Sequence, residues 1–578
     1  MPQSKPVFAL PDNNPMTHDS SSRWIQSLGA IPSPSSVKEG YQAWLQALSQ
    51  EPAKLVALQE HFVDEQKRLI DMFANPHGHT NAATGRAFAS ADDKRFAGEA
   101  WQTSPQFRYV AEAYLSIYRL LMDSVEGLDV ASSTRKKMRF FVKQHLDAMS
   151  PANFLATNPE ALQSAIESKG ETLKAGLENL KIDMAKGHIS MTDEGAFKVG
   201  ENIAVTPGSV VFENEIFQLV QYAPQTAQVH LRPLLIVPPC INKFYILDLR
   251  PDNSFVRYAA EQGFTVFIVS WRNVKAEQGH LTWDDYIANG VVKAIDNVRR
   301  ITNVEKINAL GFCVGGTLLA SSLAVLRRMG HDVVESATFL TTLLDFSDAG
   351  EVTSYINEEF ITRRESEIGQ GGIVSGSELA YAFTSLRANE LIWNYVVGNY
   401  LKGTKPPAFD LLFWNSDATN LPGPWYGYYL RNMYSKNDLA KPDRLVMCGV
   451  PVDLSYVNMP AFVFAAKEDH IVPWHTAYTS ASLLGGKTEF VLGASGHIAG
   501  VVNPASKNKR SHRISIAPNV ARQKWLEASR EVEGSWWPRW TDWLKQYSGR
   551  MVPARSTLGN ADFKPTEAAP GRYVKEKS

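Results

Sequence analysis

Leu310-Gly311-Phe312-Cys313-Val314-Gly315-Gly316-Thr317 joins an apolar run to a helix-like one beginning Leu318-Leu319-Ala320, and its form, G-x-C-x-G-G, decides how the chain is read. A nucleophile at a sharp strand-to-helix turn occupies a strained backbone conformation, so its neighbours must be nearly free of side chain. Gly311 and Gly315 meet that demand, and the apex carries a thiol where such turns usually carry a hydroxyl. An apolar-flanked cysteine is usually an inert core residue, because a thiol packs as a small hydrophobe. The glycines set Cys313 apart from Cys240 and Cys448, which lack that setting and read as core. Cys313 is the expected nucleophile.

Outward from this turn, residues from about 200 alternate short β-branched runs with helix-length segments, the pattern of a mostly parallel sheet. Leu234 to Val237, Thr265 to Ser270, Lys306 to Gly311, Ala337 to Leu344, Pro460 to Ala466 and Thr488 to Leu492 are the expected strands, and Ile287, Val291, Ile295 and Val298 mark one amphipathic helix. Residues 347–450 break the rhythm with Pro- and aromatic-rich sequence, including Trp414, Trp425, Tyr426, Tyr428 and Tyr429, and read as a lid inserted over the C-terminal edge of the strands. Before residue 200 the periodicity is helical. Pro105 follows Ser104 at a helix start, after which Phe107, Val110, Tyr114, Tyr118, Leu121 and Val125 share a face; Met138, Phe141, Val142, Leu146 and Met149 form a second stripe, and Asn158-Pro159 opens a further helix. The expected organisation is an all-helical N-terminal domain over 1–199, with 1–36 weakly ordered, and an α/β catalytic domain over 200–578. The tail ending Gly571-Arg572-Tyr573-Val574-Lys575 reads as an extended basic arm.

Composition narrows the function. With 59 Lys+Arg against 60 Asp+Glu in 578 residues, a formal charge of −1 offers no general field for nucleic acid or an anionic membrane. The first residues contain no apolar leader, and no run of about 18 uncharged apolar residues occurs. These features point to a cytoplasmic chain without a membrane span. Three cysteines without C-x-x-C spacing suggest neither a disulfide framework nor a zinc site, and His77-Gly78-His79 lacks further ligands at workable spacing and reads as a solvated loop.

In a hydrolase-type sheet the acid and base follow the nucleophile in that order, each on a loop after a strand. Asp469, in Lys467-Glu468-Asp469-His470, and His497, in Gly493-Ala494-Ser495-Gly496-His497, stand at those places and complete a triad with Cys313. Asp345 is the competing acid and His470 the competing base. One oxyanion donor is expected from the Val314 N–H; the other comes from Pro238-Pro239-Cys240-Ile241-Asn242, where the prolines have no N–H, leaving Cys240 or, preferably, Ile241. Lys507, Lys509, Arg510 and Arg513 form a cationic cluster beyond the histidine loop, although most such runs are solvated loops. Trp536, Trp540 and Trp543 share a helical face and read as a core contact.

Several long strings resemble the polyhydroxyalkanoate synthases, bacterial polyester-forming acyltransferases, in their single-subunit short-chain (class I) form. They are Gly311 to Gly316, Pro238 to Leu249, Trp414-Asn415-Ser416-Asp417, Lys467 to Trp474 and Ser495 to Pro504, with Phe140 to Leu162 similar to the family's N-terminal domain. The resemblance runs from about Phe96 onward and departs at none of the proposed catalytic positions. It implies an α/β-hydrolase fold, an (R)-3-hydroxyacyl-coenzyme A substrate such as 3-hydroxybutyryl-coenzyme A, a Cys313 thioester, release of coenzyme A, no other cofactor or metal, and association with a polyester granule through the N-terminal helices and lid. A homodimer is compatible with it. It gives the cationic cluster a task, the phosphates of coenzyme A. Sulfur suits this chemistry because exchanging one thioester for another conserves activation that an oxoester would discard. The rival readings are a thiol-dependent esterase or lactonase and a non-catalytic granule-coat protein.

Overall fold

The computed structural model describes residues 34–74, 89–515 and 520–578. His77-Gly78-His79 and most of the weakly ordered 1–36 stretch lie outside them. The chain divides into two compact units: residues up to Asp193 together with Thr384–Pro407, and Glu194–Phe383 together with Ala408–Ser578.

The first unit is helical, as its periodicity requires. Pro105–Glu126 starts with proline at its first turn, where the missing N–H costs nothing, and Pro159–Glu167 is capped by Asn158, whose side chain accepts the Ala161 N–H at 3.0 Å. Met138, Phe141, Val142 and Leu146 are buried along Ser132–Ala148, whereas Met149, expected in the same stripe, falls beyond the helix end and is exposed. Thr384–Pro407 departs from the expected single lid insertion over 347–450, because it is built into this unit. The Asn179 amide donates to the Asn399 carbonyl at 3.0 Å, Tyr400 donates to Asp183 at 2.8 Å, and Gly176 allows the Tyr400 main chain to lie where a Cβ would stand. Backbone–side-chain bonds more than 200 residues apart in sequence leave no local pattern, which is why the lid reads as one piece.

The second unit is built on an eleven-stranded sheet. Its strands are β1 (Gly208–Glu213), β2 (Phe217–Tyr222), β3 (Leu234–Val237), β4 (Val266–Trp271), β5 (Ile307–Phe312), β6 (Val334–Leu340), β7 (Ala461–Ala466), β8 (Thr488–Gly493), β9 (Ser511–Ile514), β10 (Arg530–Glu533) and β11 (Glu567–Ala568). Their spatial order is β10-β9-β8-β7-β6-β5-β3-β4-β2-β1-β11. Pairing is parallel from β4 through β3, β5, β6 and β7 to β8, and antiparallel at both flanks. The parallel strands are covered on both faces, which is why they read as unbroken apolar runs. Leu235 and Val237 of β3 face one core with Phe267 and Val269, while Leu234 and Ile236 face the other with Ile268 and Leu310, following the two-residue period of a strand.

The chain passes from β3 to β4 on one side and then returns to β5 on the other. The crevice beyond the carboxyl ends of β3 and β5 is therefore a topological switch point, where open α/β sheets bind ligands. The turns bearing Ile241 and Cys313 both emerge there. The tail is no extended arm. Residues Glu567–Ala568 add β11, Tyr573 and Val574 are buried, and Arg572 pairs with Glu213 and Glu567, so the apolar and basic residues that made it look detached are its anchors. Among the described residues, no helix is long and apolar enough to cross a membrane.

Candidate active site

Cys313 closes β5 with φ 54° and ψ −129°, in the left-handed half of backbone space, and helix Val314–Arg328 begins at the next residue. A non-glycine residue held there is strained, and its surroundings over-determine it. The Cys313 N–H donates to the Leu340 carbonyl at 3.0 Å, and its own carbonyl accepts the Gly316 N–H at 2.9 Å. A Cβ on Gly311 would overlap Gly316, one on Gly315 the carbonyls of Val237 and Pro238, and one on Gly316 the Thr342 side chain. All three glycines are thus demanded by close approach. The thiol is half-buried.

His497 opens the short helix His497–Val501 after β8, and its ring lies 5.8 Å from that of Phe312, the residue before the cysteine. Nδ1–H donates to Asp469 Oδ2 at 2.6 Å, while Asp469 Oδ1 accepts the N–H groups of Ile471 and Val472 at 2.9 and 2.8 Å. With Nδ1 engaged by Asp469, Nε2 is the ring nitrogen left to serve Cys313. Burial by itself pushes the imidazolium down; the Asp469 carboxylate, nearby Cys313 and the Asp469 hydrogen bond outweigh it and raise His497 to about 10. The two strand-end loops are tied together by Glu468 N–H to the Ser495 carbonyl at 2.9 Å. The helix bearing His497 is braced at its carbonyl end, where Trp536 and Trp537 donate their indole N–H groups to Gly500 and Val501 at 3.0 and 2.9 Å. Trp536, Trp540 and Trp543 are buried against Phe462, Phe464 and Phe255, in the core role expected of them.

The competing residues lie elsewhere. Asp345 accepts the Ser347 N–H and the Asn437 amide, each at 2.8 Å, and the partner of Asp469 is His497 rather than its neighbour His470. Cys240 is buried, and burial pushes its thiol well above the ordinary range. Cys448 is half-buried, and burial, with Asp284 beside it, raises it to about 11. Neither has a base.

Val314 occupies the first position of its helix, where an N–H has no intrahelical acceptor. In the facing turn, Thr419 Oγ1 donates to the Cys240 carbonyl and accepts the Asn242 N–H, each at 2.9 Å. The N–H groups of Val314 and Ile241 find no protein acceptor among the described residues. Tyr429 and Tyr434 lie near enough to Cys313 to feel it; burial pushes both phenols far up, and Cys313 adds to the shift. Phe346 packs edge-on against both rings at 5.8 and 5.1 Å. Tyr429 was read only as one of the lid aromatics, and Phe346, Tyr434 and Thr419 were not singled out, because the residues they meet here are distant in the chain. The cationic cluster is not one cradle. Lys507 pairs with Asp252 at 2.8 Å, Arg513 with Glu531 at 3.2 Å and Ser529 at 2.9 Å, and Arg510 with the Ala499 carbonyl, leaving Lys509 exposed.

A strained cysteine beside a buried His–Asp pair is equipped to act as a nucleophile. Two family models match the chain: "Poly-beta-hydroxybutyrate polymerase (PhaC) N-terminus" over residues 92–259 and "alpha/beta hydrolase fold" over 233–504. The chain is 51% identical over 534 residues to the poly(3-hydroxyalkanoate) polymerase subunit PhaC of Cupriavidus necator, covering 91% of this chain and 89% of that one. It belongs to the poly(3-hydroxyalkanoate) polymerase family. Other members similar to it are the PhaC subunit of Rhizobium meliloti, 40% identical over 91% of this chain and 87% of the other, and the polymerase of Methylorubrum extorquens, 42% identical over 84% and 81%. Among solved structures, a monoacylglycerol lipase of Paleococcus ferrophilus aligns with this polymerase at a TM-score of 0.31 and 12% identity, covering 49% of this chain and 90% of that one. The polymerase thus joins an α/β-hydrolase sheet to an N-terminal helical region.

Proposed function

We propose that this polymerase links short (R)-3-hydroxyacyl units, delivered as coenzyme A thioesters, into a polyester through a thioester on Cys313. The observation that carries the reading is the buried His497–Asp469 hydrogen bond beside Cys313 at its strained turn, with the Val314 and Ile241 N–H groups left without a protein acceptor among the described residues. In the first step the Cys313 proton passes to His497, the thiolate adds to the acyl carbonyl, and its C–S bond to coenzyme A breaks; the leaving thiolate takes the proton from His497 and departs as free coenzyme A. The oxyanion between these events is met by Val314 and Ile241. In the second step a 3-hydroxyl attacks the Cys313 thioester; His497 accepts the hydroxyl proton and returns it to the departing sulfur, so an ester forms and the thiol is restored.

Lys509, exposed and without a carboxylate partner, is the best placed of Lys507, Lys509, Arg510 and Arg513 to meet coenzyme phosphates. The product is an apolar solid, which assigns the working enzyme to a cytoplasmic granule surface. The test is 3-hydroxybutyryl-coenzyme A with purified protein: free coenzyme A and insoluble polyester are expected from the wild type and neither from Cys313→Ala. Release of free 3-hydroxy acid would instead indicate a thiol-dependent esterase or lactonase, and wild-type inactivity a granule-coat protein.

A further inference from the structure

The turn that carries Ile241 is gripped by groups from three parts of the second unit. Trp271 donates to the Pro238 carbonyl at 2.8 Å, Thr419 holds Cys240 and Asn242, and Trp414 donates to the Lys243 carbonyl at 2.7 Å. Asn242 sits in left-handed backbone space at φ 63°, a conformation that needs holding. The Lys243 side chain is 3% exposed and its ammonium has two acceptors: Asp417 Oδ1 at 3.0 Å and the main-chain carbonyl of Glu576 at 2.7 Å. Asp417, equally buried, also accepts Lys577 Nζ on Oδ1 at 2.8 Å and the Tyr245 hydroxyl on Oδ2 at 3.0 Å. The Glu576 carboxylate lies 3.6 Å from both Arg272 and Lys275, just past β4. Residues 576 and 577, from the tail, thus close a charge network whose other members are the oxyanion-side turn and the segment facing it.

We propose that Glu576 and Lys577 are positioning residues for acyl transfer: by completing the buried Lys243–Asp417 network they hold the Pro238-to-Lys243 turn with its Ile241 N–H directed to the acyl oxygen. This rests on the polymerase reading above. A buried ammonium that loses an acceptor is costly, and it regains one by pulling toward water. That movement carries the main chain of Lys243, two residues from Ile241. An oxyanion donor works only when held within hydrogen-bonding distance of the developing charge, so a small displacement there lowers rate rather than affinity.

The experiment compares the wild type, a chain shortened to end at Lys575, Lys577→Met, Lys243→Met and the shortened chain carrying Lys243→Met, with single-turnover coenzyme A release from 3-hydroxybutyryl-coenzyme A as the readout. Shortening is expected to slow acylation at saturating substrate by roughly 10- to 100-fold with KM within about threefold of wild type, and Lys577→Met by roughly threefold or more. Near-UV circular dichroism stays native. Because the tail acts through Lys243, shortening adds less than about twofold in the Lys243→Met background. Wild-type acylation in the shortened chain, losses that multiply in the double variant, or a rate that falls only with the folded fraction would each overturn the proposal. Should the shortened chain fail to fold, Lys577→Met decides: recovery by Lys577→Arg supports positioning by charge, and a wild-type rate in Lys577→Met refutes it. A wild type that releases no coenzyme A at all defeats the polymerase reading itself, an outcome separate from any of these.

Discussion

In the proposed reaction both halves converge on His497, and it is His497, not His470, that pairs with Asp469. His497→Ala is expected to abolish coenzyme A release, while His470→Ala keeps most of it; an indispensable His470 beside a dispensable His497 in the same assay would reverse the assignment. Asp469 can orient the imidazole for both steps or act chiefly when the hydroxyl is activated. Activating a thiol takes less help than activating a hydroxyl, so Asp469→Asn is expected to slow polymer formation far more than single-turnover acylation, and equal losses would show that orientation governs both. The same substitution has a signature in stability. Asp469 and Cys313 raise His497 to about 10, above the ~6.5 of a free imidazole, so the pairing stabilises the fold fully below about pH 6.5 and that contribution is lost as pH rises through about 10. Asp469→Asn removes the larger of the two attractions, and its urea midpoint is expected to vary less over that interval than the wild type's.

Among the elements, the turn between β5 and helix Val314–Arg328 leaves no room for added volume. At Gly315 the obstruction is the main chain of Val237 and Pro238, which cannot rotate aside as a side chain could. Gly315→Ala is expected to cost on the order of 1–3 kcal/mol, read as a lowered melting temperature, and to separate β5 from the oxyanion turn so that acylation is lost even in the fraction that folds. Gly330, which has open space where its Cβ would stand, is the matched control, although its φ of 82° strains any replacement. An active Gly315→Ala would show that the turn has slack that the packing does not reveal.

At the scale of the whole molecule, the proposed reaction has to bring a coenzyme A thioester to a half-buried thiol and release a polyester, which a fixed Phe346–Tyr429–Tyr434 cluster near that thiol would hinder. Amide exchange in residues 408–435, which carry Tyr429 and Tyr434, is expected to change when a non-hydrolysable substrate analogue is added. Thr384–Pro407, although part of the same sequence insertion, is expected to exchange with the helices of the first unit, to which it is bonded through Asn179, Asp183 and Tyr400. Full and unchanged protection over 408–435 would argue against gating.

By itself the sequence determined the parts of this protein whose signals are local. The glycines around Cys313, the apolar runs that became β3 to β8 and the loops bearing Asp469 and His497 are legible because strand burial, turn strain and chain order act over a few residues. Their limits shifted by only a few positions, most at β6, which begins and ends earlier than expected because Thr341 turns the chain. The antiparallel flanks β1, β2, β9, β10 and β11 were missed, since their sequences mix polar and apolar residues and take their strand identity from the neighbours they pair with. Tertiary structure alone decided that His497 pairs with Asp469 and not with Asp345, that part of the lid belongs to the helical unit, and that the tail ends on Lys243 and Asp417. Each of these joins residues tens to hundreds of positions apart through a single hydrogen bond or ion pair, and such a bond exists only once the sheet has brought its two partners within reach.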